Sequence, residues 1–240
     1  MKYIDKNPHF QVGRDITDHY LETTCKVDDG NGNYHYQNVD YDGSFGDTGA
    51  KEAMMRLALD NQDGFCCYCM RDLHRQNQDV TLEHIIPQSS DVAKYNYYIG
   101  LNVTPLSANN VVRTGAFTGV QNIVIPPRPH TVTFENLVAS CNGTFPDKTG
   151  SSQCCNHKRG NEDIYPMFYV VTVGNEITYT QDGSMQPNTQ CTHQAEYRTT
   201  IQKARLNCTN LQDIRRLWHL FAGERIDNLT ACLADKNKRS

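Results

Sequence analysis

The residues with the most chemical potential in this chain fall in four short segments: FCCYCM at 65–70, LEHIIP at 82–87, ENLVASC at 135–141 and CCNHKRG at 154–160. Cys66 and Cys69 form a C-x2-C, a spacing at which a tight turn brings two sulfurs to one point, roughly 2.3 Å from a shared Zn²⁺. Alone that is a weak signal, since cysteine is often simply buried. Cys141, Cys154 and Cys155 strengthen it, because the intervening NGTFPDKTGSSQ reads as a loop whose ends stay close. Four thiolates make a closed tetrahedral site of the structural kind. Cys154 and Cys155 both remain candidates for the fourth ligand, Cys154 being preferred. Cys25, Cys67, Cys191, Cys208 and Cys232 read as packing residues.

Between the thiol groups lies Glu83-His84. On its own, a histidine on an apolar strand is more often a satisfied core residue, and a neighbouring glutamate a surface charge. Bracketed by thiol pairs, the two suit phosphodiester hydrolysis. A neutral imidazole accepts a proton from water, and a divalent cation neutralises the phosphate and the leaving oxygen. Adjacent strand residues point to opposite faces, so Pro87 should mark a strand end that lets both side chains reach one site. Asn136 suits another task, tying the loop that carries His84 through hydrogen bonds to backbone. Asn156 or His157, in the first turn of a short helix, could supply a second metal ligand. Lys158 and Arg159 could contact phosphate as cations, or form an ordinary solvated helix face.

In this order, C-x2-C, EHIIP, ENLVASC and CNHKRG resemble the signature of the HNH (ββα-metal) nucleases. The resemblance implies an α+β fold with a β-hairpin-plus-helix core around one metal ion. It implies His84 as general base, Glu83 as metal ligand, Asn136 as the residue orienting the base loop, and Asn156, or His157 if the register slips, on the helix. MMRLALDNQDGFCCYC, SCNG, CCNHKRGN and TTIQKARLNCTNLQDIRR further resemble the retron- and Septu-associated PtuB branch. That branch implies a nuclease cutting DNA ahead of RNA in anti-phage defence, a structural zinc, catalytic Mg²⁺ or Mn²⁺, and an SMC-like ATPase partner of the PtuA type. Two alternatives stand beside this reading: a non-catalytic zinc module that binds nucleic acid or a partner, and a structural or redox cysteine protein.

The elements that must position these residues are partly legible. AKEAMMRLALDN places Met54, Leu57 and Ala58 on one helical face, and Gly64 ends that helix before the first thiols. VTLEHIIP reads as a strand. Residues 1–50 read as turns with one short strand, an N-terminal extension. Residues 51–165 read as the nuclease core, with 91–133, which shows little helical period, as an insertion. In 166–240, MFYVVTVGNEITYT reads as two strands around a Val-Gly-Asn-Glu turn. A helix begins near Thr209 or Asn210 and carries Ile214, Leu217, Trp218 and Phe221 on one face.

The bulk numbers constrain function only loosely. A net charge of −4 argues against a general nucleic-acid coat protein. Residues 1–60 carry 6 basic and 11 acidic side chains, while 190–240 carry 9 basic and 5 acidic, so the two ends suit different partners. No run approaches the roughly 18 apolar residues of a membrane span, and MKYIDKNPHF lacks a signal-peptide core. The expectation is therefore a cytoplasmic chain, in which ten cysteines point to metal ligands or buried thiols before disulfides.

Overall fold

The computed structural model describes residues 1–73, 80–145 and 153–221, with side chains to 218. The loop read across 142–153 lies partly outside these residues, as do Cys232 and the side chain of Phe221. In chain order the elements are α1 (Phe10–Tyr20), β1 (Lys26–Asp28), β2 (Tyr34–Tyr36), α2 (Ser44–Asp47) and α3 (Ala50–Asn61). Then come β3 (Val80–His84), α4 (Val92–Gly100), β4 (Val111–Val112), α5 (Thr114–Phe117) and β5 (Arg128–Pro129). After β6 (Leu137–Cys141) and α6 (Cys155–Arg159) follow α7 (Val173–Glu176), β7 (Ile177–Tyr179), β8 (Met185–Pro187), α8 (Gln194–Lys203) and α9 (Thr209–Phe221). The fold is mixed α and β, and its strands pair two by two. No described helix is long and apolar enough to cross a membrane.

The centre is the antiparallel pair β3–β6, which aligns Val80 with Cys141 at one end and His84 with Leu137 at the other. Every residue of β6 is buried. Its free edge is closed by a side chain that acts as a strand: the Gln62 amide donates to the Ala139 carbonyl (2.8 Å) and accepts from the Ala139 amide (2.7 Å). The backbone amide of Cys67 donates to the same carbonyl. Gln62 immediately follows α3, whose Met54, Leu57 and Ala58 face the core. Gly64, at φ +74°, turns the chain from the helix into the first thiol segment.

Residues 1–50 are part of this core, and their main element is a helix. Thr17 of α1 donates to the Val132 carbonyl (3.0 Å), and Arg14 pairs with the buried Glu135 (2.9 Å). A Cβ at Gly13 would lie 2.4 Å from the Phe134 ring, so only glycine permits this approach. A π-helical turn, Leu21–Cys25, then leads into the β1–β2 pair. The period of 10–20 is weakened by His9, Gly13 and several polar residues, so the sequence reads as turns although the helix packs well.

Two further segments differ from expectation. Residues 91–133 contain α4, capped by the Asp91 side chain on the Lys94 amide (2.8 Å). In 166–187 the first expected strand is instead a 3-10 turn, Met167–Tyr169, and Val173–Glu176 is helical. The actual hairpin pairs Ile177–Tyr179 with Met185–Pro187. Met167, Phe168 and Tyr169 are all buried there, and the amides of Tyr169 and Val170 bond back to the carbonyls of Pro166 (2.9 Å) and Met167 (3.0 Å) rather than across to a strand. On α9, Leu211 is buried, while Ile214, Leu217 and Trp218 are exposed.

Candidate functional site

The two ends of β3–β6 carry different chemistry. At the Cys141 end, the sulfurs of Cys66, Cys69, Cys141 and Cys155 all lie within 4.8 Å of one another. Cys141 is 3.7 Å from Cys66 and 3.8 Å from Cys69, sulfur to sulfur. A tetrahedral Zn²⁺ with bonds of roughly 2.3 Å requires sulfurs about 3.8 Å apart, so this donor set fits zinc. The fourth member is Cys155, where the sequence preferred Cys154. Cys154 sits beside it, 3.4 Å sulfur to sulfur. The chain reaches this position through Gly143 at φ +76°, whose carbonyl accepts from the Cys154 amide (2.9 Å). A Cβ on Gly143 would collide with the Cys154 carbonyl at 1.8 Å. Hydrogen bonds from Cys154 and Cys155 pull the Cys141 thiol down to about 5, whereas burial pushes Cys155 well up. Such a mixture of thiolate and thiol is what a soft cation would replace with four thiolates.

At the other end, His84 is the last residue of β3 and only 7% exposed. Its Nε2 lies 2.8 Å from the Thr131 carbonyl. A carbonyl only accepts, so Nε2 carries the proton and Nδ1 is left as acceptor. The Tyr41 ring packs edge-on at 4.3 Å. Burial drives the imidazole down to about 3, with the Thr131 carbonyl opposing and His130 and Arg159 assisting, so the ring is neutral near pH 7.

Asn136 is fully buried and holds the turn after His84. Its Oδ1 accepts from the Ile86 amide (2.7 Å), and its Nδ2 donates to the carbonyls of Ile86 (2.9 Å) and His130 (2.8 Å). His130 completes the brace, with Nδ1 accepting from the Thr114 amide (3.0 Å) and Nε2 facing the Pro87 carbonyl (3.2 Å). The segment read as an insertion thus supplies the acceptor that sets the His84 tautomer.

Glu83, expected as a metal ligand, is 4% exposed and paired with Arg159. Tyr68 also donates to it (3.0 Å). Burial raises the Glu83 carboxyl, against the opposing pull of the Arg159 charge. Arg159, expected on a phosphate-contacting surface, is 2% exposed. It also donates to the carbonyls of His84, Ile85 and Glu162 and to the Tyr98 hydroxyl. Both expectations are corrected for one reason: α6 lies against β3, so its last residue points into the protein. The helix turn sends His157 outward, exposed and away from the cleft beside His84, which excludes the slipped register. Lys158 is half-buried and does not line that cleft either.

The cleft, about 330 Å³, is lined by Glu83, His84, Asn156, Arg159, Gln88 and Ser89 among others. Asn156 donates through Nδ2 to the Thr81 hydroxyl (2.8 Å), which turns its Oδ1 toward other partners. A hard divalent cation requires oxygen ligands, commonly including a carboxylate. The carboxylate lining this cleft is already neutralised by Arg159, so Glu83 does not fit that role as it stands. Tyr68, Tyr98, Thr131, His130 and Gln62 went unnoticed in the sequence. Of these only His130 carried a signal, as a second histidine near an apolar run. No protein-family model matches the chain, and no curated protein matches it.

Proposed function

We propose that this chain is an endonuclease of the HNH kind, with the β3–β6 pair and α6 as its ββα core, hydrolysing phosphodiester bonds in DNA ahead of RNA. The observation that carries the reading is His84. It is a neutral histidine at a strand end, its tautomer set by the Thr131 carbonyl, its turn braced by Asn136, and its ring in the wall of a polar cleft shared with Asn156. That is the form in which an imidazole can take a proton from an attacking water. A structural histidine would satisfy both ring nitrogens, as His130 does.

In this reading the zinc is structural. Cys66, Cys69, Cys141 and Cys155 would hold it, and its chemistry there is to fix the start of α6 to the end of β6. Asn156, through its accepting Oδ1, would orient the attacking water in the cleft. Glu83 and Arg159 together set the height of α6 against β3. The resemblance also calls for Mg²⁺ or Mn²⁺, so the assay supplies them. The −4 charge favours delivery of DNA by a partner, for which an SMC-like ATPase is the proposal.

The test is nicking of supercoiled plasmid by the zinc-loaded chain in Mg²⁺ or Mn²⁺, alone and with the ATPase. Cleavage lost in His84→Ala, with zinc content and melting temperature retained, is expected. Cleavage that survives His84→Ala, or no cleavage by wild type in either setting, overturns the proposal and leaves a zinc-stabilised binding module.

A further inference from the structure

A second cavity lies away from His84, between β8, α8 and the start of α9. It is about 450 Å³ and is lined by Met185, Pro187, Ile201, Arg198, Gln202 and Arg205 among others. Arg198, Ile201 and Gln202 follow an i, i+3, i+4 spacing on α8, which places them along one stripe. Arg205 lies just past the helix, with φ +47°. No carboxylate lines the cavity.

The ion pairing around it is selective. Five lysines and arginines lie between 194 and 218. Lys203 pairs with Glu162 (3.3 Å), and Arg216 with Asp213 (3.3 Å). Arg215 donates to the carbonyls of Leu206 (2.7 Å) and Gly183 (3.3 Å). The two whose side chains make no hydrogen bond or ion pair among the described residues are Arg198 and Arg205, the two that line the cavity. In a chain of net charge −4, unpaired guanidinium groups at an acid-free concavity raise the local potential for an anion well above the molecular average. The apolar floor of Met185, Pro187 and Ile201 suits a ligand with a hydrocarbon or ring portion beside its charge.

We infer that this cavity binds the phosphate backbone of a nucleic-acid strand, Arg198 and Arg205 each taking a phosphate. The inference rests on the nuclease reading for the identity of the strand. The segment that carries Arg205 is tied to the segment that carries Asn156, because the Cys155 amide donates to the Ala204 carbonyl (2.8 Å). Arg205 and Asn156 are therefore the chain neighbours of one hydrogen-bonded pair. A strand held at Arg205 lies beside the segment that carries Asn156. Guanidinium groups suit the task because their fork matches phosphate oxygens two at a time.

The test is equilibrium binding of a fluorescent single-stranded oligonucleotide and a duplex of the same sequence to the full zinc-loaded chain, across a salt series. The proteins are wild type, Arg198→Gln/Arg205→Gln and Arg216→Gln. The double variant is expected to bind roughly tenfold more weakly or worse, with its log-log salt slope reduced by about 1.4–1.8, since each neutralised phosphate contributes about 0.7–0.9. Arg216→Gln should bind as wild type does. An unchanged slope in the double variant, an equal loss in Arg216→Gln, or absence of binding by wild type would overturn the assignment. So would a double-variant effect on inorganic phosphate binding with none on the oligonucleotides. Failure of the nuclease reading is distinguishable: wild type would bind, the double variant would not, and neither would nick plasmid.

Discussion

One five-residue ladder, β3–β6, is fastened in two unlike ways. Its Val80–Cys141 end converges on four sulfurs within 4.8 Å. Its His84–Leu137 end is held by a dense set of hydrogen bonds from Asn136, Arg159 and Lys6. The first offers four sulfurs to a metal ion, and the second uses protein groups alone. The candidate base sits at the ion-independent end, so its orientation is set by protein groups alone, while the helix carrying Asn156 is set by the thiols. Position and orientation at the cleft are thus under separate control.

Breaking the thiol end should have the largest effect. A strong chelator, or Cys141→Ser, removes a metal contribution on the order of 10 kcal/mol in small zinc peptides, comparable to the whole stability of a domain. The expected outcome is about one zinc per chain by mass spectrometry in wild type, and loss of the cooperative thermal transition once it is gone. A zinc-free preparation that melts as wild type does would remove the ion from the comparison altogether.

Next in size is Arg159→Ala, which leaves Glu83 buried without its partner. Removing one member of a buried pair costs about 3–5 kcal/mol, read as a shift of the urea midpoint. Glu83→Gln combined with Arg159→Met should cost clearly less than Arg159→Ala alone, because no charge is then stranded. If the double variant is the worse one, the pair acts through something other than charge.

Asn136→Ala should cost about 2–3 kcal/mol, since three hydrogen bonds go and the Ile86 amide is left buried. Zinc content should not change. The sharper readout is the ¹⁵N signal of the His84 ring, where the loosened turn should mix the two tautomers. A single unaltered tautomer would show that the Thr131 carbonyl suffices.

The smallest effect concerns Lys6, which is buried and donates to the Leu137 carbonyl (2.5 Å). Burial lowers its ammonium to about 7, with the Glu135 charge opposing, from an ordinary value of 10.5. The unfolded chain therefore keeps this proton between about pH 7 and 10.5 while the native chain sheds it, so stability rises with pH across that window. The increment is at most about 1.4 kcal/mol per pH unit. Comparison of wild type with Lys6→Met by urea unfolding at pH 7 and 8 should show a rise of about 1 kcal/mol that the variant lacks. An identical pH dependence in both proteins would count against it.

What could be read in advance followed local rules. The helix at 50–61 announces itself by period, and the strand at 80–84 by its apolar run and the proline beyond it. Cys66 and Cys69 are a recognisable pair because two ligands three residues apart share one turn. Asn136 was noticed for an amide's capacity to tie backbone, and its three hydrogen bonds are of that type. Local rules failed where burial was decided at a distance. Arg159 looked like one more cation on a basic helix turn, and only the placement of α6 against β3 makes it the partner of Glu83. Residues 10–20 looked like turns because their helical face is completed by Phe134 and Val132, more than a hundred residues away.

The sequence by itself determined the chemical inventory: which side chains could bind a soft metal, accept a proton or brace a loop, and two of the short elements that carry them. Those properties belong to residue types and to spacings of a few positions. The tertiary structure alone decided that Cys155 rather than Cys154 joins the other three thiols, that Glu83 faces a guanidinium, and that the side chains of Arg198 and Arg205 have no ion-pair or hydrogen-bond partner among the described residues. Each of these is a matter of ångström distances between segments far apart in the chain, fixed by packing and by long-range hydrogen bonds that no local pattern encodes.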